Sequence, residues 1–218
     1  MTSSSLPEPL PDSPLPLFAD WFARARVEKI QSNPDAMTLA TVDSDGRPSA
    51  RIVLCKYLVD SDGYLVFFTN YESRKGQALA AHPYAAAVFH WDSWERQVRV
   101  EGRIVKSPEQ ESDAYFASRA LTSQLGAWAS EQSQPLSSRM QLAAQVAKVT
   151  ARFAVNTLTR SVPRPPHWGG FRLWIEHIEL WTAGTGRVHD RARWSRTLTP
   201  RDDFSFDAST WSATRLNP

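Results

Sequence analysis

The chain has 218 residues, a formal charge of +2 and a pI near 8.8, a balance too mild to mark a nucleic-acid binder. Its single cysteine, Cys55, excludes an internal disulfide, and neither it nor His82, His90, His167 and His177 shows metal-ligand spacing. No apolar run approaches the ~20 residues of a membrane helix, and the N-terminus has no basic region of a signal peptide, which points to a soluble, cytoplasmic protein with no membrane partner.

Residues 1–14, rich in Ser and Pro, read as a mobile tail, leaving 15–218 as one domain. From Pro16 to Ile30, Leu17, Phe18, Trp21, Phe22, Ala25 and Val27 recur at roughly helical spacing and predict an amphipathic helix. Met37–Val42, Ser49–Leu58 and Tyr64–Asn70 are apolar, β-prone runs separated by two Asp-Ser-Asp-Gly turn signals, a meander of antiparallel strands. A short helix is expected from Ser73 to His82, then strands at Ala85–Trp91 and Gln97–Val105. Helical patterning follows from Pro108 to Phe153. Strands return at Phe171–Trp181, Arg187–Ser195 and Thr210–Leu216. No Gly-x-Gly-x-x-Gly follows a strand, so a doubly wound dinucleotide fold is excluded in favour of an antiparallel barrel with peripheral helices.

Chemistry collects at four places. Arg51-Ile-Val-Leu-Cys-Lys56 reads as a buried strand whose end cations, five positions apart, point to opposite faces and require separate counter-charges; taken alone, the run fits an edge strand with two solvated ends equally well. Val66-Phe-Phe-Thr-Asn70 runs into a helix opening at Ser73, Arg74 and Lys75. Cations in a first turn oppose the helix dipole unless an anion binds there, so Thr69, Arg74, Lys75 and Arg51 form a candidate phosphate cradle; a well-capped surface helix with solvated cations is the plainer alternative for this motif alone. Tyr115, Arg119 and Ser123, spaced four and four, share a face of one continuous helix and suit a second phosphate together with Lys56; an ordinary half-exposed helix face is the plainer alternative. Arg187, His189 and Arg191 fall on one face of a late strand by period-two alternation, and their mutual repulsion calls for something electron-rich between them.

These motifs, in the order RIVLCK, FFTNYESRKG, ERQVRVEG, YFASRALTSQLGAWASEQS, VPRPPHWGGFR and IELWTAGTGRVHDR, give the chain from Pro16 to Pro218 a resemblance to the pyridoxine/pyridoxamine 5′-phosphate oxidases. The resemblance implies a mainly β fold, the antiparallel FMN-binding split β-barrel, working as a homodimer with shared active sites. It implies FMN phosphate contacts from Arg51, Thr69, Arg74 and Lys75, and flavin contacts from Ile52, Val53, Leu54, Phe68, Gln97, Trp181 and Arg191. Gln132 and Ser133 are expected to reach in from the partner subunit. Substrate phosphate is assigned to Lys56, Tyr115, Arg119 and Ser123, and the pyridine ring to Arg187 and His189 as catalytic residues. The implied reaction turns pyridoxine or pyridoxamine 5′-phosphate into pyridoxal 5′-phosphate, with O2 reduced to H2O2 and ammonia released from the amine. The chain departs from the family pattern at Cys55 (usually leucine), at Phe68 (usually tyrosine) and in an N-terminal segment without Arg, Lys or Tyr before Pro14.

Overall fold

The computed structural model describes residues 5–154 and 162–218. Nine strands form one antiparallel sheet: β1 (Ala36–Val42), β2 (Pro48–Leu54), β3 (Tyr57–Val59), β4 (Tyr64–Asn70), β5 (Tyr84–Trp91), β6 (Arg96–Lys106), β7 (Trp168–Thr182), β8 (Asp190–Ser195) and β11 (Ser212–Leu216). The hairpin of β9 (Leu198–Asp202) and β10 (Ser205–Ala208) stands apart. Among the described residues, five α-helices lie around the sheet: α1 (Leu15–Val27), α2 (Arg74–Ala81), α3 (Glu109–Ser118), α4 (Leu121–Ala129) and α5 (Arg139–Arg152).

Strand β7 organises the architecture. One of its edges pairs with β6 from Phe171 to Thr182. Its other edge pairs first with β4, from Trp168 to Trp174, and then with β8, from His177 to Thr182. An edge that changes partner midway forces the sheet to part there, which produces the split of the barrel. At the change β7 carries a bulge, with Glu176 left over between the pairs His177–Glu101 and Ile175–Gly102 of β6. Gly102 is obligatory at this point, because a Cβ would lie 1.8 Å from the Trp174 carbonyl oxygen.

The apolar spacing of α1 is explained by what it covers. Phe18 and Phe22 meet Phe89 edge-on at 5.4 and 5.7 Å, and Trp21 and Ala25 share the same buried face. Together with Leu39, Leu65, Phe67, Val98, Leu173 and Trp194 they form the main core.

Four expectations need correction. The run Ser49–Leu58 is two strands: at Cys55 the backbone N–H turns to the Asp35 carbonyl, and Lys56 N–H to Val66, so the chain leaves β1 and joins β4. Strand β2 is also a half-exposed edge rather than a buried strand, with Ile52 63% exposed. Residues 1–14 are not a free tail from Leu6 onward. Leu6 is buried in the core, its N–H donates to Asp190, and Trp194 Nε1 donates to the Pro11 carbonyl. Prolines suit an extended strap as well as a disordered tail, and apolar Leu6 decides between them. The strand expected from Arg187 begins only at Asp190, as residues 185–187 form a 3-10 turn.

Candidate functional site

The phosphate cradle assembles where β4 runs into α2. Ser73 caps the helix by accepting from Gly76 N–H, and its own hydroxyl donates to the Asn70 carbonyl at 2.7 Å. Asn70 in turn accepts from Glu72 N–H. This locked corner aims Lys75 back at the strand end, where Nζ donates to Thr69 Oγ1 at 2.9 Å and to Gln132 Oε1 at 2.7 Å. Arg51 approaches from β2, with its guanidinium held by Thr41 Oγ1, Ser49 Oγ and the Leu39 carbonyl. Arg74 is tied to Asp43 at 2.5 Å. Burial, reinforced by Arg51, pushes the Lys75 ammonium down to about 8. Burial and the charge of Arg74 lower Arg51 in the same direction. Cations that depress one another in this way make a locally positive corner that suits an anion.

The second cluster borders the same cavity, of about 500 Å³, lined by Ile52, Val53, Leu54, Lys56, Phe68, Thr69, Lys75 and residues of α3 and α4. Tyr115, Arg119 and Ser123 all line it, but not along one helix. Helix α3 stops at Ser118, Arg119 is extended, and α4 opens at Leu121. Buried Gln124 stabilises the break, its Nε2 donating to the Ala117 and Arg119 carbonyls that the helix end leaves free. Arg119 lies 4.6 Å over the Trp168 ring, and its buried Nη1 has no hydrogen-bond partner among the described residues. A desolvated guanidinium on the wall of a cavity suits an oxyanion. Phe68, Tyr115 and Trp168 are near-parallel, with Phe68 4.0 Å from Tyr115 and 5.6 Å from Trp168 and the latter two 6.2 Å apart, forming an aromatic wall of the cavity. The sequence reading did not single out Trp168. Its signal is the following Gly169-Gly170, where a Cβ on Gly170 would come within 2.9 Å of Phe68.

Gln132, expected from a partner subunit, instead completes the cradle of its own chain. Asn70 Nδ2 holds the Ser130 carbonyl and so draws the segment after α4 over the cradle. Ser133 is exposed, at a φ of 75°, and is not part of the cavity lining.

A second group lies elsewhere. Strand register sets Gln97 opposite Trp181 and Trp181 opposite Arg191, so three adjacent strands present the three side chains side by side. His189 packs on Trp181 at 4.7 Å and accepts from Gly184 N–H through Nδ1, which leaves the proton of the neutral ring on Nε2. Arg187 stands on the turn at a φ of 64°, exposed, so it does not share a strand face with His189 and Arg191 as the alternation predicts. Arg191 is held by Glu179 at 2.9 Å and by the Asn217 carbonyl. None of these five residues lines the main cavity. Along β7, Trp181 is separated from Gly170 by roughly 36 Å of strand.

The chain matches the family model described as pyridoxamine 5′-phosphate oxidase over residues 23–153. It also matches the pyridoxine 5′-phosphate oxidase C-terminal dimerisation region over residues 168–218. The chain belongs to the pyridoxamine 5′-phosphate oxidase family. A relative from Paraburkholderia phytofirmans, named pyridoxine/pyridoxamine 5′-phosphate oxidase, is 52% identical over 94% of this chain and 89% of its own. Among solved structures, PhzG from Burkholderia lata, in complex with tetrahydrophenazine-1-carboxylic acid, superposes with a TM-score of 0.82 at 32% identity. That match covers 97% of this chain and 95% of the other. A pyridoxamine 5′-phosphate oxidase-related FMN-binding protein from Nostoc punctiforme has the same fold, with a TM-score of 0.67 at 16% identity over 93% and 96% of the two chains. Family membership makes this chain an oxidoreductase of the split-barrel class.

Proposed function

We propose that the protein is a homodimeric FMN-dependent oxidase that converts pyridoxine or pyridoxamine 5′-phosphate to pyridoxal 5′-phosphate in the cytoplasm. One observation carries this reading: a single cavity bordered by two cationic clusters and an aromatic wall. A flavin mononucleotide and a phosphorylated vitamer bring two phosphates and two flat rings. The depressed Lys75 and the buried Nη1 of Arg119 fit those anions. Arg51, Thr69, Arg74 and Lys75, joined by Gln132, would hold the FMN phosphate, while Ile52, Val53, Leu54 and Phe68 line its ring. Lys56, Tyr115, Arg119 and Ser123 would hold the substrate phosphate.

The redox chemistry belongs to bound FMN, with hydride equivalents leaving the substrate C4′ and passing finally to O2 to give H2O2. The protein supplies alignment and charge. Arg187 stabilises charge on the oxygen or nitrogen at C4′, and His189 orients the pyridine ring with its Nε2–H. We infer that these residues, with Gln97, Trp181 and Arg191, serve the cavity of a second subunit rather than their own, a reading supported by the roughly 36 Å of β7 between the two groups. The matched dimerisation region contains Trp181, Arg187, His189 and Arg191, which supports this exchange.

The test is aerobic turnover of pyridoxine 5′-phosphate by the FMN-loaded protein, with pyridoxal phosphate and peroxide followed together. Stoichiometric formation of both, lost in Lys56→Met, supports the proposal; a yellow protein forming neither overturns the substrate assignment. The likeness to PhzG favours a second reading, oxidation of a phosphate-free tricyclic substrate. That reading leaves the Lys56–Tyr115–Arg119–Ser123 cluster without purpose, and it predicts turnover indifferent to Lys56→Met.

A further inference from the structure

Lys56 does not face the cavity as a free cation. Its Nζ lies 2.9 Å from Asp35 Oδ2, and both side chains are largely shielded, at 26% and 17% exposure. Asp35 is not part of the cavity lining, so its carboxylate sits behind the ammonium. The backbone fixes it there: Cys55 N–H donates to the Asp35 carbonyl at 2.8 Å, and Ala36 pairs with Leu54 across β1 and β2. The preceding Pro34 carbonyl is held by Trp91 Nε1. The backbone that carries the carboxylate is therefore held beside Lys56 when an anion arrives.

We propose that Asp35 is a specificity-determining residue that limits how tightly the Lys56–Arg119 cluster grips a phosphate; this rests on the reading of that cluster as the substrate-phosphate site. Two consequences follow from the geometry. One of the three ammonium donors is committed to Asp35, which holds Nζ in place and leaves two for the ligand. The carboxylate also repels the same anion that Lys56 attracts, lowering the cluster's net charge from two to one. Substrate and product carry the same phosphate handle, so a weaker grip favours release of the product as much as it disfavours capture of the substrate.

The replacement Asp35→Asn keeps an oxygen acceptor for Nζ and removes the charge. For a dianion some 6 Å from the carboxylate, a water-like dielectric gives roughly a tenfold effect. In the FMN-loaded dimer, Asp35→Asn is therefore expected to bind inorganic phosphate, as a competitive inhibitor, about tenfold more tightly, to lower KM for pyridoxine 5′-phosphate similarly, and not to raise kcat. Asp35→Glu, which keeps the charge, should stay near wild type. An unchanged or weaker phosphate inhibition constant in Asp35→Asn, in protein that retains FMN and its melting temperature, would overturn the proposal. Lys56→Met separates the two levels of inference. If it leaves phosphate affinity untouched, the cluster itself has been misread; if it abolishes that affinity while Asp35→Asn does nothing, only the role of Asp35 fails.

Discussion

Mixing two inactive variants tests the separation of the half-sites. Arg119→Ala removes the desolvated guanidinium from the main cavity, and Arg187→Ala/His189→Ala empties the turn before β8. Loss of a buried anion partner of this kind costs about 2–5 kcal/mol, so the Arg119 variant should lose at least about 30-fold in kcat/KM. If the two groups met within one chain, every site in a hybrid dimer would carry one lesion and stay inactive. The roughly 36 Å of β7 between Gly170 and Trp181 predicts the opposite, because a cavity of about 500 Å³ is only roughly 10 Å across. In a two-fold dimer with exchanged halves, one site of each hybrid is intact and the other carries both lesions. Random re-association makes half of the dimers hybrids, so activity should recover to about a quarter of wild type. The assay is aerobic pyridoxal phosphate formation after co-refolding differently tagged variants, with each variant refolded alone as control. No recovery in mixtures shown by the two tags to contain hybrids would refute the geometric reasoning.

Three further outcomes are expected. Lys75 is held near 8 by burial, below the ordinary lysine value, so the anion-free fold binds fewer protons than the unfolded chain between about pH 8 and 10.4. Its stability should rise with pH through that window, while phosphate affinity falls by at most about tenfold per pH unit above 8. Lys75→Met should flatten both profiles, and a flat wild-type phosphate-binding curve from pH 7 to 9.5 would contradict the argument. Deleting residues 1–11 removes buried Leu6 and the acceptor for Trp194 Nε1, and should lower unfolding free energy by about 2–4 kcal/mol in urea titrations; an unchanged midpoint would return this segment to the status of a tail. Gly102→Ala forces a methyl against the Trp174 carbonyl and should cost about 3 kcal/mol or more, read from the same titration.

Much of the fold was legible because the main-core strands are short β-prone runs between turn signals, and because the phenylalanines and tryptophan of α1 repeat with the period of a helix. The cradle was legible for a similar reason: Thr69, Ser73, Arg74 and Lys75 are near neighbours in sequence. What stayed hidden depends on distant partners. Nothing near Ser118 announces the end of α3; the cap comes from Gln124, a side chain of the next helix. Arg187 reads as a strand residue until Gly186 is seen, also at a φ of 64°, turning the chain just before it. Gln132 joins its own cradle only because Asn70 captures the Ser130 carbonyl. The β9–β10 hairpin, which packs Leu198 and Phe206 on Trp174, carries too few apolar residues to signal itself.

The two-partner edge of β7 also sets a timetable. Strand β4 is an uncharged run, Tyr-Leu-Val-Phe-Phe-Thr-Asn, and β3, only three residues long, is the partner that the growing chain provides early. Its other partner begins at Trp168, about a hundred residues later. A ribosome adding roughly 5–20 residues per second leaves that edge open for several seconds or more. An unpaired, uncharged, phenylalanine-rich edge is the kind of segment that seeds aggregation. Yield in the cell should thus depend on chaperones that shelter the nascent chain, and on translation speed between β4 and β7, more than on the stability of the finished protein.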